Sequence, residues 1–338
     1  MINVLYPFDN NYAPYAGISI TSLLMNNQHA DEINVFILGF NLSEENIVLL
    51  RKTVEQYDRN IFFIDGTDVS RRIDELQLPS YRGASVAAAR LFISDFLADF
   101  DGRIIYLDSD TLIVGDLEEL MSEELSGCAV GMSLDSVGRD SKCNIGIKCE
   151  EPYYNAGVIL YDLKIWKEKK CTERIVEHIQ NVRSNYEALD QDLINKSIGE
   201  DIKTLSPRYN LQPFHVCFSS REYKRAYGLI GYYNEVEIQE AVESPVIYHC
   251  FRYINTFPWH LNSIHPHKYM FEQYKQQSFW GDLVEKDADL SATSTRVQLF
   301  IYHHFSKLMY LRFFRAAFKR ASRRNNKRLV QKCAYKNI

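Results

Sequence analysis

Two aspartates one residue apart, Asp108 and Asp110 in Asp108-Ser109-Asp110, end the apolar run Ile104–Leu107. Carboxylates this close repel unless a cation bridges them. A hard divalent ion held by oxygen ligands meets that need, and such ions often bind substrate phosphates too. The bland alternative is an exposed polar turn. Asp135 also follows an apolar run, Cys128–Leu134, where it is either a hydroxyl-binding group or a surface turn. His249 closes Pro245–His249 and is either a metal ligand or a satisfied strand-end histidine. The planar fork of Arg90 suits a sugar hydroxyl, a phosphate or an ordinary ion pair. Asn155-Ala156-Gly157 joins an amide to small residues, which fits either close approach to a sugar or a turn. Asp190-Gln191-Asp192 opens a helical pattern, with Asp190 placed to cap the helix or to meet a ligand.

The elements that must position these groups alternate. Ile2–Tyr6, Ile33–Leu38, Ile61–Ile64 and Ile104–Leu107 read as buried strands. Helices are expected around Ile18–Leu24, from an N-cap at Ser43 to about Tyr57, and over Ala84–Phe96. Alternation of this kind predicts an α/β fold with a mainly parallel sheet covered on both faces. In such sheets ligands sit at the carboxyl ends of the strands, where Asp108 and Asp135 fall. Further on, Cys128–Leu134 and Gly157–Tyr161 read as strands, and Thr172–Val182 and Gln191–Lys196 as helices. Residues 199–260 read as loops and brief strands.

With 338 residues, 46% apolar and 25% charged, the chain is neither disordered nor fibrous. No run approaches the roughly 20 apolar residues of a membrane span. The N-terminal MINVLYPFDNNYAP is not a secretory signal, and seven scattered cysteines without a CxxC pair suggest reduced thiols in a cytoplasmic setting. The net charge of −5 hides an asymmetry. Ser291–Ile338 carries 12 Lys or Arg and no acid, so the remainder carries 27 basic and 44 acidic residues. Leu308, Leu311, Phe314 and Phe318 follow helical spacing within this basic tail. A basic amphipathic helix suits an anionic membrane interface. A helix packed on the acidic body is the alternative. Nucleic acid is not expected, because no nucleic-acid module is present.

Several motifs occur together in one order. They are Asp9-Asn10-Asn11-Tyr12, Ala88-Ala89-Arg90-Leu91, Tyr106-Leu107-Asp108-Ser109-Asp110, Tyr154-Asn155-Ala156-Gly157-Val158, Leu189-Asp190-Gln191-Asp192, Ser206-Pro207-Arg208-Tyr209-Asn210, His249 and Pro258-Trp259-His260. In this set the chain resembles the retaining glycosyltransferases of family 8, which include bacterial lipopolysaccharide galactosyl- and glucosyltransferases and glycogenin. The resemblance spans roughly residues 2–260. It implies a GT-A domain over 1–275, with 276–338 left as a basic helical, membrane-associating extension. It also implies a UDP-glucose or UDP-galactose donor, a saccharide or glycolipid acceptor, and Mn²⁺ or Mg²⁺.

By motif, Asp9, Asn11 and Tyr12 would hold the uridine. Asp108, Asp110 and His249 would bind the metal, and Asp108 or Ser109 would touch the ribose. Arg90, Asp135, Asn155 and Ala156 would face the donor. Asp190 would contact donor hydroxyls, and Gln191 would lie beside the anomeric carbon. A neutral amide is a poor nucleophile, so front-face attack is expected, with the departing phosphate oxygen taking the acceptor proton. The family usually follows its histidine with a glycine-containing turn and a lysine before Pro-Trp. Here His249-Cys-Phe-Arg-Tyr-Ile-Asn-Thr-Phe-Pro258 has neither, leaving Arg252 or His260 to supply the charge. The resulting expectation is a peripheral enzyme on the inner face of a bacterial membrane, used in lipopolysaccharide synthesis. A silent nucleotide-sugar-binding protein and a metal-dependent phosphoester hydrolase are the rivals.

Overall fold

The computed structural model describes residues 1–78, 84–137, 142–143, 145–181, 186, 188–317 and 320. Seven strands form one sheet: β1 (Ile2–Asp9), β2 (Ile33–Phe40), β3 (Asn60–Asp65), β4 (Arg103–Leu107), β6 (Val130–Leu134), β7 (Tyr154–Asp162) and β8 (Ile202–Thr204). Their order is β3-β2-β1-β4-β7-β6-β8. Pairing is parallel except on the two sides of β7, which runs against both β4 and β6. β1 is almost wholly buried, as the apolar run Val4–Phe8 requires of a central strand covered on both faces. A separate two-stranded ladder joins β5 (Thr111–Ile113) to β9 (Ile247–His249) in antiparallel register.

This pairing delivers the site. β4 ends at Leu107, the chain turns through Asp108-Ser109-Asp110, and β5 starts at Thr111 opposite His249. The Cys250 amide donates to the Asp110 carbonyl at 2.7 Å and fixes the crossing. On the other side of β4, the Asp108 amide donates to the Gly157 carbonyl at 2.9 Å.

The helices follow their local signals with some differences. Ser43 caps the Glu44–Glu55 helix as expected, accepting from the Asn46 amide at 3.3 Å. The expected helix over Ala84–Phe96 is broken into Ala84–Ala88, a 3₁₀ turn over Ala89–Phe92, and Ile93–Phe96. The tighter turn carries Arg90 inward, and the Tyr161 hydroxyl donates to the Arg90 carbonyl at 3.0 Å. Asp190 is not a cap. The Leu189–Ile198 helix starts two residues earlier than expected, with Ala188 at the cap position, placing Asp190 in its first turn. Residues 199–260 hold more helix than expected, with Pro213–Cys217, Ser220–Tyr227 and Glu235–Glu243.

The Lys268–Gln277 helix lies against Ala13–Asn26, and Trp280 covers Gly17 so closely that an alanine Cβ there would fall 1.9 Å from its ring. A Thr293–His304 helix and a helical stretch over 307–317 follow. Tyr310 and Leu311 are fully buried, while Leu308 and Phe314 pack at the edge of the same core. Tyr310 stacks on Phe218 with centroids 5.9 Å apart, and Arg315 donates to the Ala226 carbonyl at 2.6 Å. Phe318 lies outside the described residues. The face marked by Leu308, Leu311 and Phe314 therefore meets protein. Helical spacing alone cannot tell an apolar face that packs on a core from one that lies on lipid. Phe300, Phe305, Met309 and Phe313 are exposed instead, near exposed Lys307 and Arg312. No helix among the described residues is long and apolar enough to cross a membrane.

Candidate active site

Asp108, Asp110 and His249 each place one ligand atom within 4.8 Å of the others. His249 Nε2 lies 3.4 Å from Asp110 Oδ1 and 3.9 Å from Asp108 Oδ2. Burial pushes the Asp108 carboxyl up to about 6, against the pull of Arg90. Burial alone would raise Asp110, but the adjoining His249 reverses this and holds it below the usual carboxylate range. Burial alone would lower His249, but Asp110 and Asp108 raise it above the usual imidazole range.

The side chains around the cluster are oriented by groups whose polarity is fixed. The Gly157 amide donates to Asn155 Oδ1 at 3.0 Å, so the amide nitrogen of Asn155 faces Asp135 Oδ2 at 3.0 Å. Asn155 Oδ1 also accepts from Asn210 Nδ2 at 2.9 Å, which turns the Asn210 carbonyl towards His249 Nδ1 at 3.0 Å. The Asn210 carbonyl thus fixes a proton on Nδ1, so that the neutral form of the ring presents its Nε2 lone pair to the aspartates, the tautomer a metal ligand needs. Two carboxylates and one imidazole nitrogen fit a Mn²⁺-like ion better than a soft one.

Arg90 is buried between carboxylates. Its Nη2 meets Asp108 Oδ1 at 2.7 Å, its Nε meets Asp190 Oδ2 at 3.0 Å, and its Nη1 donates to the Ala156 carbonyl. The guanidinium also lies over the Tyr106 ring, 4.6 Å from its centroid. Arg90 thus gathers Asp108 and the Asp190 helix onto one backbone carbonyl. Asn195 fastens that helix to β7, accepting from the Tyr154 amide at 2.7 Å and donating to its carbonyl at 2.9 Å.

Gln191 is held on three sides. Its Oε1 accepts from the Ala156 amide at 3.0 Å, and its Nε2 donates to Asp135 Oδ2 at 2.9 Å and to the Tyr153 hydroxyl at 3.2 Å. The fold brings together Arg90, Asp108, Asp110, Asp135, Asn155, Ala156, Asp190, Gln191 and His249. Ser109 is buried beside them. Asp9 closes β1 and accepts from the amides of Asn11 and Tyr12 at 2.9 and 3.2 Å. Tyr12 stands at the rim, its hydroxyl pKa raised first by burial and then by Asp110. Tyr15, one turn on, stacks on Trp259 at 4.2 Å.

Arg252 is exposed and joins none of these contacts. The His260 ring accepts from the Phe257 amide at 3.1 Å and is thereby tied into its own turn. Where the family places lysine, Phe257 stacks on Trp259 at 4.5 Å. The turn after His249 still takes left-handed backbone values without glycine, at Ile254 (φ 46°) and Asn255 (φ 59°). A β-branched residue resists that region. Here Ile254 is held by burial, and Asn255 donates to Thr295 Oγ1 at 2.5 Å. Among the described residues Arg90 is the one Arg or Lys bonded to the aspartates of the cluster.

Sequence reasoning did not single out Tyr153, Asp192 or Asn210 as site residues. Each lies within or beside a quoted motif, which was the available signal. Nothing in the residue types told which neighbours of a motif turn inward.

A GT-A sheet with an Asp-x-Asp turn at the end of β4 and a histidine returned to it defines a nucleotide-sugar glycosyltransferase architecture. The chain belongs to glycosyl transferase family 8, whose model matches residues 3–263. It is similar to the lipopolysaccharide 1,2-glucosyltransferase of Escherichia coli K12, with 27% identity over 90% of this chain and 87% of that one. It is also similar to the lipopolysaccharide 1,3-galactosyltransferase of Salmonella typhimurium, with 24% identity over 94% and 90%. It spans 64% of a putative glycosyltransferase of Haemophilus influenzae, at 26% identity over 63% of this chain. Among solved structures, the galactosyltransferase LgtC in complex with donor and acceptor sugar analogues superposes with a TM-score of 0.63. That match has 22% identity over 82% of this chain and 96% of LgtC.

Proposed function

We propose that this glycosyltransferase moves glucose or galactose from a UDP-sugar to a saccharide or lipid-linked glycan, with retention at the anomeric carbon. The observation that carries the reading is the Asp108–Asp110–His249 cluster lying one hydrogen-bonded network away from Gln191. The cluster would hold Mn²⁺ or Mg²⁺, which when bound stabilises charge on a departing diphosphate. Asp9, Asn11 and Tyr12 flank the uridine side, and Asp135, Asn155 and Ala156 line the sugar side.

Both hydrogens of the Gln191 amide and one lone pair of its oxygen are already engaged. Only the second Oε1 lone pair remains to face a developing oxocarbenium carbon. Asp190 is a poor candidate for the nucleophile, because its charge is already compensated by Arg90 at 3.0 Å. Attack by the acceptor hydroxyl from the face the UDP leaves, with a phosphate oxygen taking the proton, fits this arrangement. A trapped adduct on Asp190 would overturn it.

The test is UDP release from UDP-glucose and UDP-galactose, with and without Mn²⁺, in the presence of pooled glycolipid acceptors. Metal-dependent release of UDP is expected. Donor binding without turnover would replace this reading with a silent binding protein, and metal-dependent cleavage of simple phosphoesters would replace it with a hydrolase.

The similarity to lipopolysaccharide transferases and the exposed Phe300, Phe305, Met309 and Phe313 support a peripheral enzyme on the cytoplasmic face of a membrane. Truncating the tail would also uncover Phe218, so point changes test this better. A Phe300→Ser, Met309→Ser, Phe313→Ser variant is expected to bind phosphatidylglycerol vesicles on the order of tenfold more weakly, with UDP release in solution retained. Undiminished vesicle binding would rule out this face.

A further inference from the structure

We propose that Tyr153 and Asp192 form a positioning pair that holds the Gln191 amide for transfer; this rests on the reading of Gln191 given above. The Tyr153 ring is 2% exposed and Asp192 is 4% exposed, so neither lines an open surface. The Tyr153 hydroxyl has one hydrogen and donates it to Asp192 Oδ1. A carboxylate only accepts, so the direction of that bond is fixed. The hydroxyl can then offer Gln191 nothing but a lone pair, and it receives an amide hydrogen at 3.2 Å. Asp192 is itself held, because its Oδ2 accepts from the Ala188 amide at 3.0 Å at the start of the same helix.

The two hydrogens of Gln191 Nε2 thus have two separate acceptors, Asp135 and Tyr153. If the Tyr153 acceptor were lost, one amide hydrogen would stand unpartnered against a buried ring, at a cost that favours side-chain rotation. Rotation would move Oε1 away from the Ala156 amide and from the position where a sugar carbon would sit. Neither Tyr153 nor Asp192 needs to touch substrate for this. They act through Gln191.

Asp192→Asn is the discriminating change because it is isosteric and reverses one bond. The Ala188 amide claims the new carbonyl, so the new Nδ2 faces the Tyr153 oxygen and donates to it. The tyrosine hydrogen then turns towards Gln191, where it opposes an N–H. Tyr153→Phe removes the acceptor without reversing anything.

The primary readout does not depend on activity. It uses the full chain labelled with ¹⁵N-glutamine, with the Gln191 side-chain resonances assigned by their loss in Gln191→Ala. In the unaltered chain the Gln191 amide protons are expected to be protected from exchange and held in one environment. In Asp192→Asn they are expected to shift and to exchange about tenfold faster or more, with Tm within a few degrees. Steady-state UDP release provides the second readout. Asp192→Asn is expected to lower kcat about tenfold or more while leaving the donor KM within about twofold, and Tyr153→Phe is expected to fall between it and the unaltered enzyme. Unchanged Gln191 resonances in a folded Asp192→Asn protein would overturn the proposal. So would a loss of kcat that only tracks a fall in Tm across both variants. If resonances move as expected but no UDP-sugar is turned over by the unaltered chain, the positioning pair stands and the reading of the reaction falls.

Discussion

Asp110→Ala is expected to lose Mn²⁺-dependent UDP-sugar binding and to lower kcat/KM about a thousandfold, roughly 4 kcal/mol of transition-state stabilisation. The carboxylate would supply one of three ligand atoms, and of the two aspartates it is the nearer to His249, at 3.4 Å. Without it the cluster keeps an imidazole and an aspartate that Arg90 already shares at 2.7 Å. The change is also a clean one structurally. Asp110 holds β9 through its backbone carbonyl, which accepts from the Cys250 amide and is kept by alanine. Asp108→Ala would be less informative, because it would leave the buried Arg90 short of a counter-charge. Mn²⁺ binding by calorimetry, UDP release, and thermal melting on the same preparation decide the matter. Unchanged metal dependence in a folded Asp110→Ala protein would remove the aspartate pair from the ligand set.

Local signals and long-range ones were not equally legible in the sequence. The run Ile104–Leu107 into Asp-Ser-Asp contains its own strand, its end and its carboxylates, and all three stand in the fold as expected. Ser43 likewise carries its capping signal in one side chain. The meeting of His249 with Asp110 is different. It depends on β5 pairing with β9 across more than a hundred intervening residues, and only the order of motifs pointed to it. The break of the Ala84–Phe96 helix that turns Arg90 inward has no breaker residue, since no glycine or proline occurs there. Packing against Tyr161 and the pull of two carboxylates decide it, and neither is local. In the tail, Leu308, Leu311 and Phe314 gave the right periodicity and the wrong partner, since their face meets the core around Phe218 and Tyr310.

The missing lysine has a structural counterpart. Phe257 occupies the position before Pro-Trp and extends an aromatic stack through Trp259 to Tyr15, so that position carries a ring in place of a charge. Arg90 cannot substitute freely while it holds Asp108, Asp190 and the Ala156 carbonyl. The charge on a departing diphosphate would therefore fall mainly to the cation held by the cluster. Loss of metal should then be more damaging here than in a site that also keeps a cationic side chain.

Gly157→Ala is expected to weaken Mn²⁺ binding on the order of a hundredfold, although residue 157 offers no ligand atom. An alanine Cβ there would fall 2.0 Å from His249 Cε1, and 2.6 and 2.7 Å from the two ring nitrogens. The backbone cannot withdraw, because the Gly157 amide is bonded to Asn155 and its carbonyl to the Asp108 amide. The ring must therefore swing, which disturbs its 3.0 Å bond to Asn210 and its edge-on contact with Phe251 at 5.0 Å. Overpacking of this kind also costs about 1–3 kcal/mol of stability, so a lower Tm accompanies the effect. Gly131→Ala separates the two consequences. Its Cβ would press on the Leu205 side chain at 2.8 Å, in a part of the sheet away from His249. It should lower Tm while leaving Mn²⁺ affinity as it was. Equal Mn²⁺ affinity in both variants would mean that His249 is not a ligand, and the cluster would be reduced to its two aspartates.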